Sequence, residues 1–103
     1  MNITRSSKST ANTVVISGTV VGQVIYGFNQ EYETNELKFM LQCINYDNEG
    51  KAYSNKELCK ILGDAAVSNQ ELLEGSKVIV VGRLKYPKYS YRGFIQGHEL
   101  DRL

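Results

Sequence analysis

From Lys77 to Lys85 the apolar side chains come at every second position, Val78, Val80 and Leu84, with Gly82 in the same phase. A repeat of two is that of a β-strand, whose successive side chains point to opposite faces; a helix repeats about every 3.6 residues and cannot keep these groups on one side. The same alternation runs through residues 12–21, with Asn12, Val14, Ile16, Gly18 and Val20 on one face and Thr13, Val15, Ser17, Thr19 and Val21 on the other. It returns in residues 38–46, where Phe39, Leu41 and Cys43 oppose Met40, Gln42, Ile44 and Tyr46. Glu57–Leu62 is a third strand with Cys59 and Ile61 inward and Leu58, Lys60 and Leu62 outward, and residues 89–100 supply a fifth strand. Gly18 and Gly22 mark bending or close approach in the first.

One segment breaks the alternation. Asp64–Glu74 is the predicted helix, with Asp64 as N-cap, Ala65, Ala66, Leu72 and Leu73 apolar, and Gly75 as the stop. Asp47–Lys56 is a polar loop with an Asn48-Glu49-Gly50 turn, and Tyr26, Phe28 and Tyr32 belong to a loop after the first strand. The order is β, β, β, α, β, β in an antiparallel sheet. That is an all-β architecture, a five-stranded Greek-key barrel of the oligonucleotide-binding type (OB-fold) with its helix between the third and fourth strands. A small α+β sandwich is the alternative. Residues 1–11 are polar, Ser/Thr-rich and without a period, hence a mobile arm carrying Arg5 and Lys8; residues 12–103 form the single domain.

The chain has 103 residues, enough for one small core. Its two cysteines, Cys43 and Cys59, lie in apolar runs without metal-ligand spacing and read as buried free thiols; His98 stands alone. No Ser/His/Asp set, P-loop or paired carboxylate accompanies them, so neither an enzyme nor a metal or other cofactor is expected. The opening residues are polar and contain no signal peptide, and a soluble, cytoplasmic protein is expected.

The net charge is only +1, but four of the twelve cations, Arg83, Lys85, Lys88 and Arg92, lie between residues 83 and 94 beside Tyr86, Tyr89, Tyr91 and Phe94, with no acid among them. Phosphates attract the cations and base faces stack on the rings, so this composition fits a nucleic-acid strand. Tyr89 is the first-choice platform; Phe94 is expected in the core. On the third strand Lys60 faces outward as a phosphate contact and Leu62 as an apolar rest for a base. Glu31, Glu33 and Glu36 oppose phosphate and should keep the loop after the first strand off the backbone.

Three segments resemble the bacterial and phage single-stranded DNA-binding protein family. Asn12-Thr13-Val14-Val15-Ile16-Ser17-Gly18 is similar to its opening strand, and Lys38-Phe39-Met40-Leu41-Gln42-Cys43-Ile44 to its second. Residues 72–84, Leu-Leu-Glu-Gly-Ser-Lys-Val-Ile-Val-Val-Gly-Arg-Leu, carry the most specific match. The resemblance implies binding of single-stranded DNA with little sequence preference, in replication, recombination or transfer. It also implies homodimers or homotetramers, often built through the first strand. Family stacking positions fall at or beside Tyr46 and at Tyr89. Lys56 and Leu62 occupy third-strand positions where many members carry aromatics, and Tyr53 is a candidate substitute. Cellular members have a long tail with an acidic tip that recruits enzymes; this sequence ends at Asp101-Arg102-Leu103, which fits a tail-less phage, plasmid or mobile-element type.

Two or three stacked bases contribute roughly 2–9 kcal/mol before ordering costs, at about 1–3 kcal/mol each. Four phosphate contacts at about −0.7 each give a salt slope near −2.8, or about 50-fold weaker binding between about 50 and 200 mM salt. One protomer alone is a weak binder, and several on one strand would multiply affinity. The rival readings are an accessory protein of replication initiation or conjugation whose main ligand is another protein, and a single-stranded RNA binder.

Overall fold

The alternating segments pair into one closed sheet. The computed structural model describes residues 3–5, 13–88 and 92–103. Its strands are β1 (Ile3–Arg5), β2 (Thr13–Asn29), β3 (Thr34–Tyr46), β4 (Ala52–Leu62), β5 (Lys77–Lys85) and β6 (Phe94–Arg102), with one helix, α1 (Asp64–Ser68), between β4 and β5. The sheet order is β1-β2-β3-β4-β6-β5, and a β2–β5 pairing closes β2 to β6 into a five-stranded barrel. The expected barrel, strand order and helix position hold. The pairing is not wholly antiparallel: β4 and β6 run parallel over Cys59↔Ile95, Lys60↔Gln96 and Ile61↔Gly97. Within residues 1–11, Ile3–Arg5 pairs antiparallel with Val14–Ile16.

The faces follow the sequence phase. Val14, Ile16, Val20, Leu37, Phe39, Leu41, Cys43, Cys59, Ile61, Val78, Val80 and Ile95 fill the barrel, and Ala66, Leu72 and Leu100 complete the core. Both cysteines are buried free thiols, and burial pushes the Cys59 thiol far above its usual range. An aromatic disulfide reagent is therefore expected to label neither thiol in the native protein and both once urea unfolds it; fast labelling without denaturant would contradict this packing.

Four boundaries differ from the sequence reading. The first strand does not stop at Val21: β2 continues to Asn29 as a long hairpin with β3, through a register shift between Val21 and Ile25. Gly22, at φ 75°, provides the left-handed residue of this bulge, and Ile25, Tyr26 and Phe28 then resume extended pairing. Next, the loop expected at Asp47–Lys56 is only a turn. Asp47 Oδ1 accepts from the backbone N–H of Glu49 and of Lys51, both at 2.9 Å, so pairing resumes at Tyr46↔Ala52.

The helix is shorter than expected, ending at Ser68. The Asn69 amide donates to the Ala65 carbonyl at 2.8 Å, a side-chain bond that competes with helix continuation. Gly63, not Asp64, is its N-cap. Leu72 still reaches the core, whereas Leu73 faces solvent. Finally, the last strand starts at Phe94; residues 89–91, assigned to it from the sequence, lie outside the described residues.

Candidate nucleic-acid interface

Residues directly opposite one another on paired strands share a face, so the outer surface can be assembled from the register. On β3 and β4 the outward pairs are Gln42↔Lys56, Met40↔Leu58 and Lys38↔Lys60. The row continues across Lys60↔Gln96 and Gln96↔Arg83 onto β6 and β5. Three cations thus share one row around the barrel, with neighbouring strands about 4.8 Å apart. Lys38 was not among the expected contacts, although its phase opposite Phe39 was readable.

Lys38 and Lys60 face each other directly, and like charges so placed repel. Lys60 relieves this by leaning away: its ammonium lies 4.2 Å from the centre of the Phe94 ring, a cation–π contact worth about 0.5–1 kcal/mol when exposed. This corrects the assignment of Phe94 to the core. Its neighbour Ile95 is the inward residue, and Phe94 lies half-buried on the outer face opposite Lys85. The aromatic bias of the hairpin hid which ring takes the barrel and which is displayed.

Phe94, Lys60 and Pro87 form the shared ridge between two hollows. The first is a cleft of about 310 Å³ between the β2–β3 and β5–β6 hairpins, lined among others by Tyr32, Leu62, Lys85, Tyr86 and Lys88. The second is wider, about 840 Å³, and runs past Met40, Lys56, Glu57, Leu58 and Arg92 toward the β3–β4 hairpin. Together they make one groove across the outer face. Burial raises the pKa of Glu57 in the second hollow. The folded state therefore holds this proton more tightly, and the group's stabilising contribution is present at low pH and lost as pH rises through its raised pKa.

Most expected contacts meet at this groove: Lys56, Lys60, Leu62, Lys85, Tyr86, Lys88 and Arg92 all line it. Tyr46 lies at the end of β3 beyond the groove and is 69% exposed. Arg83 is exposed on β5, opposite Gln96, and lines neither hollow. Tyr53 pairs with Asn45 and has the phase of Cys59 and Ile61, opposite to that of Lys56 and Lys60; the register places it on the other side of the sheet. Tyr89 and Tyr91 lie outside the described residues. Glu31 and Glu36, expected to oppose phosphate, stand in the wall of the first cleft. The segment is a hairpin arm, which brings them over the barrel face.

No family model matches the sequence, and no curated protein matches it. Solved structures do. A small single-stranded DNA-binding protein from Streptomyces coelicolor superposes with a TM-score of 0.73 at 15% identity, over 93% of this chain and 96% of that one. The second single-stranded DNA-binding protein of Mycobacterium smegmatis gives 0.68 at 18% identity, over 87% and 86%. The wild-type protein of Thermus aquaticus gives 0.72 at 20% identity, over 88% of this chain and 49% of that one, so the present chain spans about half of its length. The barrel is that of an oligonucleotide-binding fold. Among the described residues no helix is long and apolar enough to cross a membrane, and no cluster of His, Cys, Asp and Glu could hold a metal ion.

Proposed function

We propose that this protein binds single-stranded DNA with little sequence preference and covers exposed strands during replication, recombination or transfer. The observation that carries the proposal is the groove itself. It combines the cations Lys56, Lys60, Lys85, Lys88 and Arg92 with the rings of Tyr32, Tyr86 and Phe94 along one barrel face. Alternating charge and ring accommodates a flexible strand whose bases are unstacked, whereas a duplex hides its base faces. The fold shared with proteins named for single-stranded DNA binding supports the same reading. Tyr89 and Tyr91 stand between Lys88 and Phe94 in the sequence and are proposed as further stacking partners.

The chain acts as an oligomer in this proposal, because a single groove of this size binds weakly and linked copies multiply affinity. Both edges of β2 are already paired, by β5 on one side and by β1 and β3 on the other. Association through this strand would therefore use its outer face, where Val15 is exposed.

Titration of tyrosine fluorescence with oligo-dT, oligo-U and duplex DNA at several salt concentrations tests the function. Quenching by oligo-dT with a logarithmic salt slope of about −2 to −4 per protomer is expected, with little response to duplex. Lys60→Ala should make the slope shallower by about 0.7, one phosphate contact. Absence of quenching, or equal affinity for duplex, would remove the proposal; stronger binding of oligo-U would redirect it to RNA.

A further inference from the structure

The first cleft has walls of opposite charge. The β2–β3 hairpin contributes Glu31 and Glu36, and the β5–β6 hairpin contributes Lys85 and Lys88. A phosphate is repelled by the first wall and attracted by the second, so the strand's backbone keeps to the lysine side and the acidic wall is left to face a base. Rings stand on both sides, Tyr32 with the acids and Tyr86 with the lysines, and Leu62 and Phe94 add apolar surface. A volume of about 310 Å³ is at the lower end of small-ligand pockets, about 300–1,000 Å³, and suits one flat heterocycle.

Glu36 is held in place for such a contact. It is half-buried, and the Asn29 amide donates to its Oε2 at 2.8 Å. Among the described residues no hydrogen bond to Oε1 is formed. A carboxylate accepts and cannot donate, so it favours a base edge carrying an amino group and disfavours one showing carbonyl oxygens. Cytosine, adenine and guanine carry an exocyclic amine; thymine presents oxygens in the corresponding places. The lysines of the facing wall donate to the acceptor atoms that each of those three bases also carries.

Resting on the single-stranded DNA reading above, we infer that the cleft between the two hairpins takes one base of the bound strand and selects an amino-bearing base over thymine, with Glu36 as the selecting residue and Glu31 assisting. The protein then combines a tolerant groove with one choosy position, and a strand of mixed sequence settles with a preferred register.

The test uses the full chain and oligo-dT of fixed length in which one central thymidine is replaced by cytidine, adenosine or guanosine. A single replacement leaves the stacking and flexibility of the strand nearly unchanged. At least one replacement is expected to tighten binding about fivefold, the lower end of the discrimination that one base–side-chain pair provides. Glu36→Gln should remove most of this difference, read as the ratio of the affinities for the replaced and the plain oligo-dT, because an amide donates to thymine as readily as it accepts from an amine. Glu31→Gln, at an exposed position, reports on the same wall without touching the Asn29 contact. Equal affinity for all four oligonucleotides, or a preference that survives both substitutions, would overturn the inference and leave single-stranded binding intact. Binding of none of them would remove the underlying reading as well.

Discussion

Gly82→Ala is expected to lower the melting temperature by roughly 12–24 °C, from a cost of about 3 kcal/mol at about 4–8 °C per kcal/mol for a domain of this size. The cause is a close crossing of β5 and β6. A Cβ at Gly82 would run into the backbone carbonyl of Gln96 and come within 2.7 Å of the Gly97 Cα. These obstacles are backbone, so no rotamer change relieves them. The crossing is tight because the register slips here, with Val81 opposite Glu99 but Gly82 opposite Gly97, which leaves His98 unpaired in a bulge. Gly97 is constrained as well, since its Cβ would meet the side chains of Ile61 and Val80. Gly27→Ala is the control. Nothing lies within 4 Å of a Cβ there, and a change within about 0.5 kcal/mol is expected. Thermal unfolding followed by far-UV circular dichroism compares the two; a Gly82→Ala protein melting within about 3 °C of the parent would refute the crossing as described.

The second large effect concerns binding. Phe94→Ala is expected to weaken single-stranded DNA binding by about 5- to 150-fold, the value of one stacked base at about 1–3 kcal/mol. Phe94 stands between the two hollows, so a strand following the groove must pass over it. Its ring is occupied by the Lys60 ammonium at 4.2 Å. On the proposed binding mode, a base takes the ring and Lys60 turns to a neighbouring phosphate. The alanine variant loses the platform and leaves Lys60 near Lys38 without a resting place. Because Phe94 is on the outer face, the fold should survive, and Phe94→Tyr should restore affinity. Unchanged affinity of a folded Phe94→Ala protein would confine the ring to local packing.

Where burial decides the side, the alternation in the sequence reports it: Val78 and Val80 on β5, Cys59 and Ile61 on β4, and Phe39, Leu41 and Cys43 on β3 all lie in the core as their phase requires. The barrel follows from these segments and one short helix. Lys60 and Leu62 were placed on the groove by the same reasoning. The extent of the hairpins was less legible. Residues 25–29 and 52–56 project beyond the barrel, where neither face is fully buried and alternation fades. Read as a loop, the first of these segments hid that Glu31 and Glu36 reach the cleft, which they do because β2 and β3 continue as a paired arm. Tyr53 was offered as a substitute for a family aromatic position at Lys56 or Leu62, yet an odd separation in a strand puts it on the face opposite to Lys56. Phe94 was misassigned because Phe94 and Ile95 are both apolar, and only the register with Lys85 and Leu84 shows which one turns inward.

The central claim is that one face of the barrel, the outer side of β4 and β6 with the two flanking hairpins, receives the single strand. Amide chemical-shift mapping by NMR during titration with short oligo-dT tests it most directly. Residues 56–62, 85–88 and 92–96 are expected to shift together, and the side of β2 and β5 around Ser17 and Ile79 is expected to remain still. Shifts concentrated around Ser17 and Ile79, with the groove unaffected at saturating oligonucleotide, would contradict the account.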